Sequence, residues 1–188
     1  MKKHFKLTAL IIALTSFTIG CDDHDHDHEG ELITTVTLTM VGSNNQTIVL
    51  TSRDLDGDGP NAPIVTITGG NFLNGVTYTG NIQFLNELED PTEDITPEVI
   101  AEGTAHQVFY QLPSNLGAFV YTDADSNNRP IGITTTYTPA NIGNGNLRVT
   151  LRHFPNKNAT GVLQGNIANA GGETDVEVNF NINVSPNN

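Results

Sequence analysis

The sequence predicts an all-β protein: an antiparallel β-sandwich, immunoglobulin-like in general architecture, with a small closed β-barrel as the alternative. Three observations predict it. About nine or ten short segments alternate apolar and polar residues, the period of a half-buried strand. Glycine, asparagine, aspartate and proline fall between those segments, where tight turns need them. Threonine, asparagine and glycine are abundant and tryptophan is absent, a composition that favours strands over helices.

The elements follow in chain order. From Leu32 to Val41, Val36, Leu38 and Met40 alternate with Thr35, Thr37 and Thr39. Gly42 to Asn45 is a turn, and Gln46 to Thr51 returns as the second arm of a hairpin. Further strands are expected at Ile64 to Thr68 and at Val76 to Leu85, with Gly69 and Gly70 breaking the chain between them. His106 to Leu112 carries His106, Val108, Tyr110 and Leu112 on one face. Ala118 to Thr122, Ile131 to Tyr137, Asn146 to Phe154 and a weak segment at Val162 to Ile167 come next. In the last strand Val176, Val178, Phe180, Ile182 and Val184 face one way, and Glu177, Asn179, Asn181 and Asn183 the other. That pattern is one buried face and one wet face.

One stretch is not β. Residues 86–103 are acidic, and a short helix is expected near 96–102. Thr96 would be its N-cap, Pro97 its first residue, Glu98 a favourable charge at the positive end of the dipole, and Gly103 its stop.

The first twenty residues are of another kind. Lys2, Lys3 and Lys6 precede an apolar run from Leu7 to Ile19, long enough for a secretory signal and short for a membrane span. The run meets the one cysteine at Ile19-Gly20-Cys21. This resembles a bacterial lipoprotein signal, with Thr18 where that pattern prefers leucine. The resemblance implies cleavage before Cys21 and acylation of its thiol, which anchors the chain to a membrane through lipid. Acyl chains hold such a protein firmly, since each buried CH₂ contributes about 0.8 kcal/mol. Removal of twenty residues from 188 leaves 168, enough for one domain over residues 32–188. Three of eight basic residues leave with the signal, so five face all 21 acidic ones, a net charge of −16. Such a surface repels nucleic acid and attracts cations.

Residues 22–31 contain no apolar side chain and read as a disordered tether. His24, His26 and His28 alternate there with Asp25 and Asp27. A flexible chain can fold such imidazoles around a borderline metal such as zinc, copper or nickel, with carboxylates completing the shell. The same tract also serves as an acidic spacer, and its acidic start resembles the surface-export signal of Bacteroidota lipoproteins.

Two aspartate loops are candidates for calcium. Asp54, Asp56 and Asp58 stand at alternate positions with Gly57 and Gly59 between and after them, the first half of an oxygen cage. The loop resembles an EF-hand loop, but its twelfth position is Val65 and no helices flank it, so a full EF-hand is excluded. Asp123, Asp125 and Asn127 repeat the spacing. Both loops are also what hairpin turns require.

His106 and His153 are the histidines of the expected domain, each at a strand end on an apolar side. Buried, hydrogen-bonded histidines are the ordinary reading; a paired metal or haem site is the functional one. No nucleophile elbow, phosphate-binding loop, dinucleotide-binding glycine pattern or His-Glu-x-x-His occurs, and the chain is expected not to be an enzyme.

The Ile19-Gly20-Cys21 signal, the His/Asp tether, Arg53 to Pro60, the run Thr96 to Tyr110 and Gly171 to Asp175 together resemble a family of small uncharacterised Bacteroidota outer-membrane lipoproteins. Its members carry the label "type 1 periplasmic binding fold". That fold needs two α/β lobes and about twice this length, and the strand pattern does not supply them. The expectation is a non-enzymatic lipoprotein of the outer membrane or cell surface. It would bind a ligand or partner, most concretely a divalent transition metal, as accessory to an outer-membrane receptor. The alternative is a structural or adhesion-type module stabilised by calcium, with the tract only a tether.

Overall fold

Alternation builds the first ladder. In β1 (Thr35–Gly42), Val36, Leu38 and Met40 are fully buried, and β2 (Thr47–Arg53) returns beside it with Ile48 and Leu50 inward. Asn45, at φ 65°, turns the hairpin, and the Asn44 side chain accepts the Gln46 amide at 3.1 Å. The computed structural model describes residues 32–57 and 59–187. The remaining strands are β3 (Ile64–Thr68), β4 (Phe72–Leu73), β5 (Tyr78–Asn86), β6 (Glu93–Asp94), β7 (His106–Gln111), β8 (Phe119–Tyr121), β9 (Thr134–Tyr137), β10 (Gly143–His153) and β11 (Glu173–Ser185).

They form two sheets. One runs β3-β2-β1-β5-β9-β8, with β6 beside β5; the other runs β4-β11-β10-β7. All pairs are antiparallel except the short β4–β11 contact. The architecture is an all-β sandwich, as the alternation predicts. Among the described residues the sheets share no strand pair, so the ladder does not close into a barrel.

The core lies between the sheets. Leu38, Leu50, Ile82 and Phe84 from one meet Leu147, Leu151, Phe180 and Val184 from the other. Aromatic rings run through it from Phe72 to Tyr137, Phe119 and Tyr110, with centroids 4.7–5.2 Å apart. Each buried phenol finds an acceptor, as it must in an apolar interior. Tyr137 donates to the Leu116 carbonyl at 2.9 Å and Tyr110 to that of Gly132 at 2.7 Å.

Three local expectations change. Helix α1 covers Thr96–Ala101, but its N-cap is Ile95. The Thr96 hydroxyl is turned inward instead and accepts the Phe84 amide at 2.9 Å, while Asp94 accepts the Thr96 amide at 3.0 Å. The weak strand at Val162 to Ile167 is two 3₁₀ turns, Val162–Gln164 and Ile167–Asn169, because Gly161 and Gly165 flank the first in the left-handed region. These turns cover the outer face of β7. Phe109 joins Val162 and Ala170 in a satellite cluster, and Gln107 donates to the Val162 carbonyl at 2.9 Å. An edge strand is thereby buried on both faces, and its alternation is lost.

Candidate metal centre

β7 begins and β10 ends at the same level, because His106 and His153 are register partners in that antiparallel pair. Antiparallel partners stand close enough for their side chains to touch. Their rings stack with centroids 4.5 Å apart and planes inclined by 16°. His106 is fully buried, His153 nearly so. Glu102, the C-cap of α1, brings its carboxylate to the same point. Glu102, His106 and His153 can each bring one ligand atom to within 4.8 Å of the others, so the group could hold a metal ion. One carboxylate and two imidazoles form a donor set of the kind that borderline transition metals take.

A fourth polar group lies beside the ring nitrogens. The β10–β11 ladder breaks register between Leu151, which pairs with Val176, and Arg152, which pairs with Thr174. Asp175 is the extra residue of that bulge. Its carboxylate is 2% exposed. Oδ2 stands 3.8 Å from His106 Nε2, and Oδ1 stands 3.8 Å from His153 Nδ1. Asp175 Oδ2 and His106 Nε2 are both buried without a hydrogen-bond partner. The other nitrogen of His106, Nδ1, lies 3.3 Å from the Glu102 carbonyl. Burial, reinforced by His153, holds the His106 imidazole below its ordinary pKa, against the pull of that carbonyl. Burial pushes the Asp175 carboxyl up, with Glu173 adding to it and His153 opposing. The Phe154 ring stacks on His153 with centroids 4.1 Å apart, and its backbone lies in the left-handed region at φ 50°.

The other sequence-predicted site residues are placed as follows. Cys21, His24, Asp25, His26, Asp27, His28 and Asp58 lie outside the described residues. Asp54 accepts the amides of Asp56 and Gly57 at 3.3 and 3.0 Å. Asp56 accepts the backbone and side-chain nitrogens of Asn61 at 3.2 and 2.7 Å, contacts that hold its carboxyl below the ordinary range. In the second loop Asp123 accepts the amides of Gly132 and Thr134 at 2.8 and 2.9 Å. Asp125 accepts the amides of Asn127 and Arg129 and pairs with the Lys157 ammonium at 3.0 Å. The loop expected to seek calcium thus meets a cation of the chain's own.

Sequence reasoning found the two histidines and missed both carboxylates. Glu102 was one acid among many, although its place at the end of the predicted helix, four residues before His106, was a usable signal. Asp175 carried none, since a regular strand would turn it away from the Val176 face. No family model, curated protein or solved structure matches the chain.

Proposed function

We propose that this chain is a non-enzymatic cell-envelope lipoprotein whose β-sandwich domain binds a divalent transition metal at Glu102, His106 and His153. The observation that carries the reading is the pairing of the two histidines across adjacent strands beside Glu102. His106 Nε2 is buried without a hydrogen-bond partner, which destabilises a fold unless something uses its lone pair. The lipoprotein part rests on the resemblance of Ile19-Gly20-Cys21 to an acylation signal. On this reading the tract with His24, His26 and His28 gathers metal weakly near the membrane surface, and the domain holds it more tightly, because its ligands are already ordered. A role beside an outer-membrane receptor fits a lipid-anchored metal binder.

The test is calorimetric titration of the full chain with Zn²⁺, Cu²⁺, Ni²⁺ and Ca²⁺, beside a triple variant H24N/H26N/H28N and a double variant H106N/H153N. The expected result is one transition-metal site that survives the triple substitution and disappears with the double one. Transition-metal binding that vanishes with the tract would refute the domain site. A Ca²⁺ response alone would favour the structural module instead.

A further inference from the structure

Asp175 is where regular strand geometry and the observed structure part. Along β11, Val178, Phe180, Ile182 and Val184 are buried at alternate positions. Continued backwards, that alternation would aim residue 175 at solvent. The bulge turns its carboxylate into the protein instead, toward ring nitrogens of His106 and His153. A bulge forfeits ladder pairing, and a buried carboxylate forfeits hydration. Both are tolerated here for a carboxylate oxygen that has no hydrogen-bond donor.

The atoms facing that oxygen explain the arrangement. A carbonyl can only accept, so the contact between His106 Nδ1 and the Glu102 carbonyl places the ring proton on Nδ1. His106 Nε2 is then a bare lone pair. It faces Asp175 Oδ2, another lone pair, across 3.8 Å. Two buried acceptors at that distance are relieved by a cation between them. A proton fits poorly, since charge-assisted N–H···O bonds close to about 2.7–2.9 Å. A metal fits well. With about 2.0–2.1 Å to nitrogen and about 2.0–2.2 Å to oxygen, a separation of 3.8 Å corresponds to a ligand–metal–ligand angle of roughly 130°. Closure by about 0.4 Å brings that angle to the tetrahedral value. The Nδ1–H bond to a backbone carbonyl is also the usual outer contact of a metal-bound histidine.

We propose that Asp175 is the buried anionic ligand of this centre, holding a zinc-class divalent ion between its carboxylate and His106 Nε2. His153 Nδ1, 3.8 Å from the second carboxylate oxygen, is the next ligand, and Glu102, already grouped with both histidines, is the fourth once Asp175 closes on them. The proposal rests on the reading of His106 and His153 as metal-binding. It adds the residue that supplies the negative charge, and it selects Nε2 over Nδ1 as the coordinating atom of His106. Three strands, β7, β10 and β11, and the end of α1 then share one ion.

The experiment uses the full chain carrying H24N/H26N/H28N, so that the tract is silent, with Co²⁺ as spectroscopic probe and Zn²⁺ in competition. D175N is expected to weaken Zn²⁺ binding by more than the 10–100-fold typical of losing an outer contact. It should also shift the Co²⁺ ligand-field bands, and D175E should restore part of both. An unchanged Co²⁺ spectrum in D175N, whatever the affinity, would overturn the proposal, because Asp175 would then only orient the histidines. A parent chain that binds neither ion would overturn the reading of the centre itself, so the two failures are distinguishable. If D175N does not fold, ¹⁵N NMR of the parent chain decides. Zn²⁺ is expected to shift His106 Nε2; coordination through Nδ1 would place the ion away from Asp175 and refute the assignment.

Discussion

Lys157 offers the sharpest test of what holds this sandwich together. Its ammonium is buried, 3% exposed, against an Asp125 carboxylate that is 1% exposed. It donates to Asp125 Oδ2 at 3.0 Å, to the Pro130 carbonyl at 2.8 Å and to the Gly103 carbonyl. Three donors thus meet three acceptors, two from the loop at 125–130 and one at the end of α1. Lys157→Met keeps the length of the side chain and removes the charge. It leaves a buried carboxylate without its cation and two carbonyls without a donor. Breaking a buried pair from one side costs about 3–5 kcal/mol. At 2–4 °C per kcal/mol for a chain of this size, the melting temperature should fall by roughly 6–20 °C. Replacing both partners, K157M with D125N, keeps an acceptor for the Asn127 and Arg129 amides and should cost less than K157M alone, since no charge is then stranded. Urea unfolding of the four members of the cycle measures both effects. A K157M loss below about 1 kcal/mol, the value of an exposed pair, would refute the claim that this one is buried and satisfied.

Other outcomes follow from the same structure. Zn²⁺ at one hundred times its Kd should stabilise the folded chain by about 2.7 kcal/mol, raising the melting temperature by roughly 5–10 °C, and H106N/H153N should abolish the shift in a thermal melt. Burial would raise the Asp125 carboxyl, but the Arg129 amide, the Lys157 ammonium and the Asn127 amide together hold it below its ordinary 3.8. Its contribution is therefore complete above about pH 4 and lost as pH falls through the folded value; urea midpoints between pH 7 and pH 2 should show a steeper acid decline for the parent than for D125N. Gly172, at φ 71°, has no room for a side chain, because a Cβ would meet the His153 carbonyl. Gly172→Ala should lower stability by at least about 1–2 kcal/mol and weaken Zn²⁺ binding as well, measured by denaturation and titration.

The fold was legible because its strands are half-buried. β1, β2, β10 and β11 put every second residue in the core, and two-residue alternation records that directly. Legibility failed where a second layer intervened. β7 is buried on both faces by the turns at 162–169, so its sequence reads as apolar and polar residues inside together. The cap of α1 was misread for a related reason. Thr96 is a good capping residue in isolation, but its hydroxyl is taken by the Phe84 amide of β5. At the candidate centre, strand-end positions singled out His106 and His153, yet only the register makes them neighbours. Asp175 was beyond reach altogether, because a single bulge reverses the face on which a residue lies.

The two polar knots of the molecule are joined. Gly103, whose carbonyl accepts from Lys157, follows Glu102 directly, and Glu102 supplies both the carbonyl at His106 Nδ1 and the carboxylate of the candidate centre. The end of α1 is therefore held by an ammonium at Gly103, and its C-cap residue Glu102 meets the histidines. Helix α1 is six residues long, too short to hold its own end in place without such contacts. The Lys157 pair thus fixes one wall of the centre as well as the loop at Asp125. Removing Lys157 should then loosen Glu102 and weaken metal binding without touching a ligand. K157M and E102Q should consequently combine less than additively in Zn²⁺ affinity, while K157M and D175N, acting through different walls, should combine closer to additively.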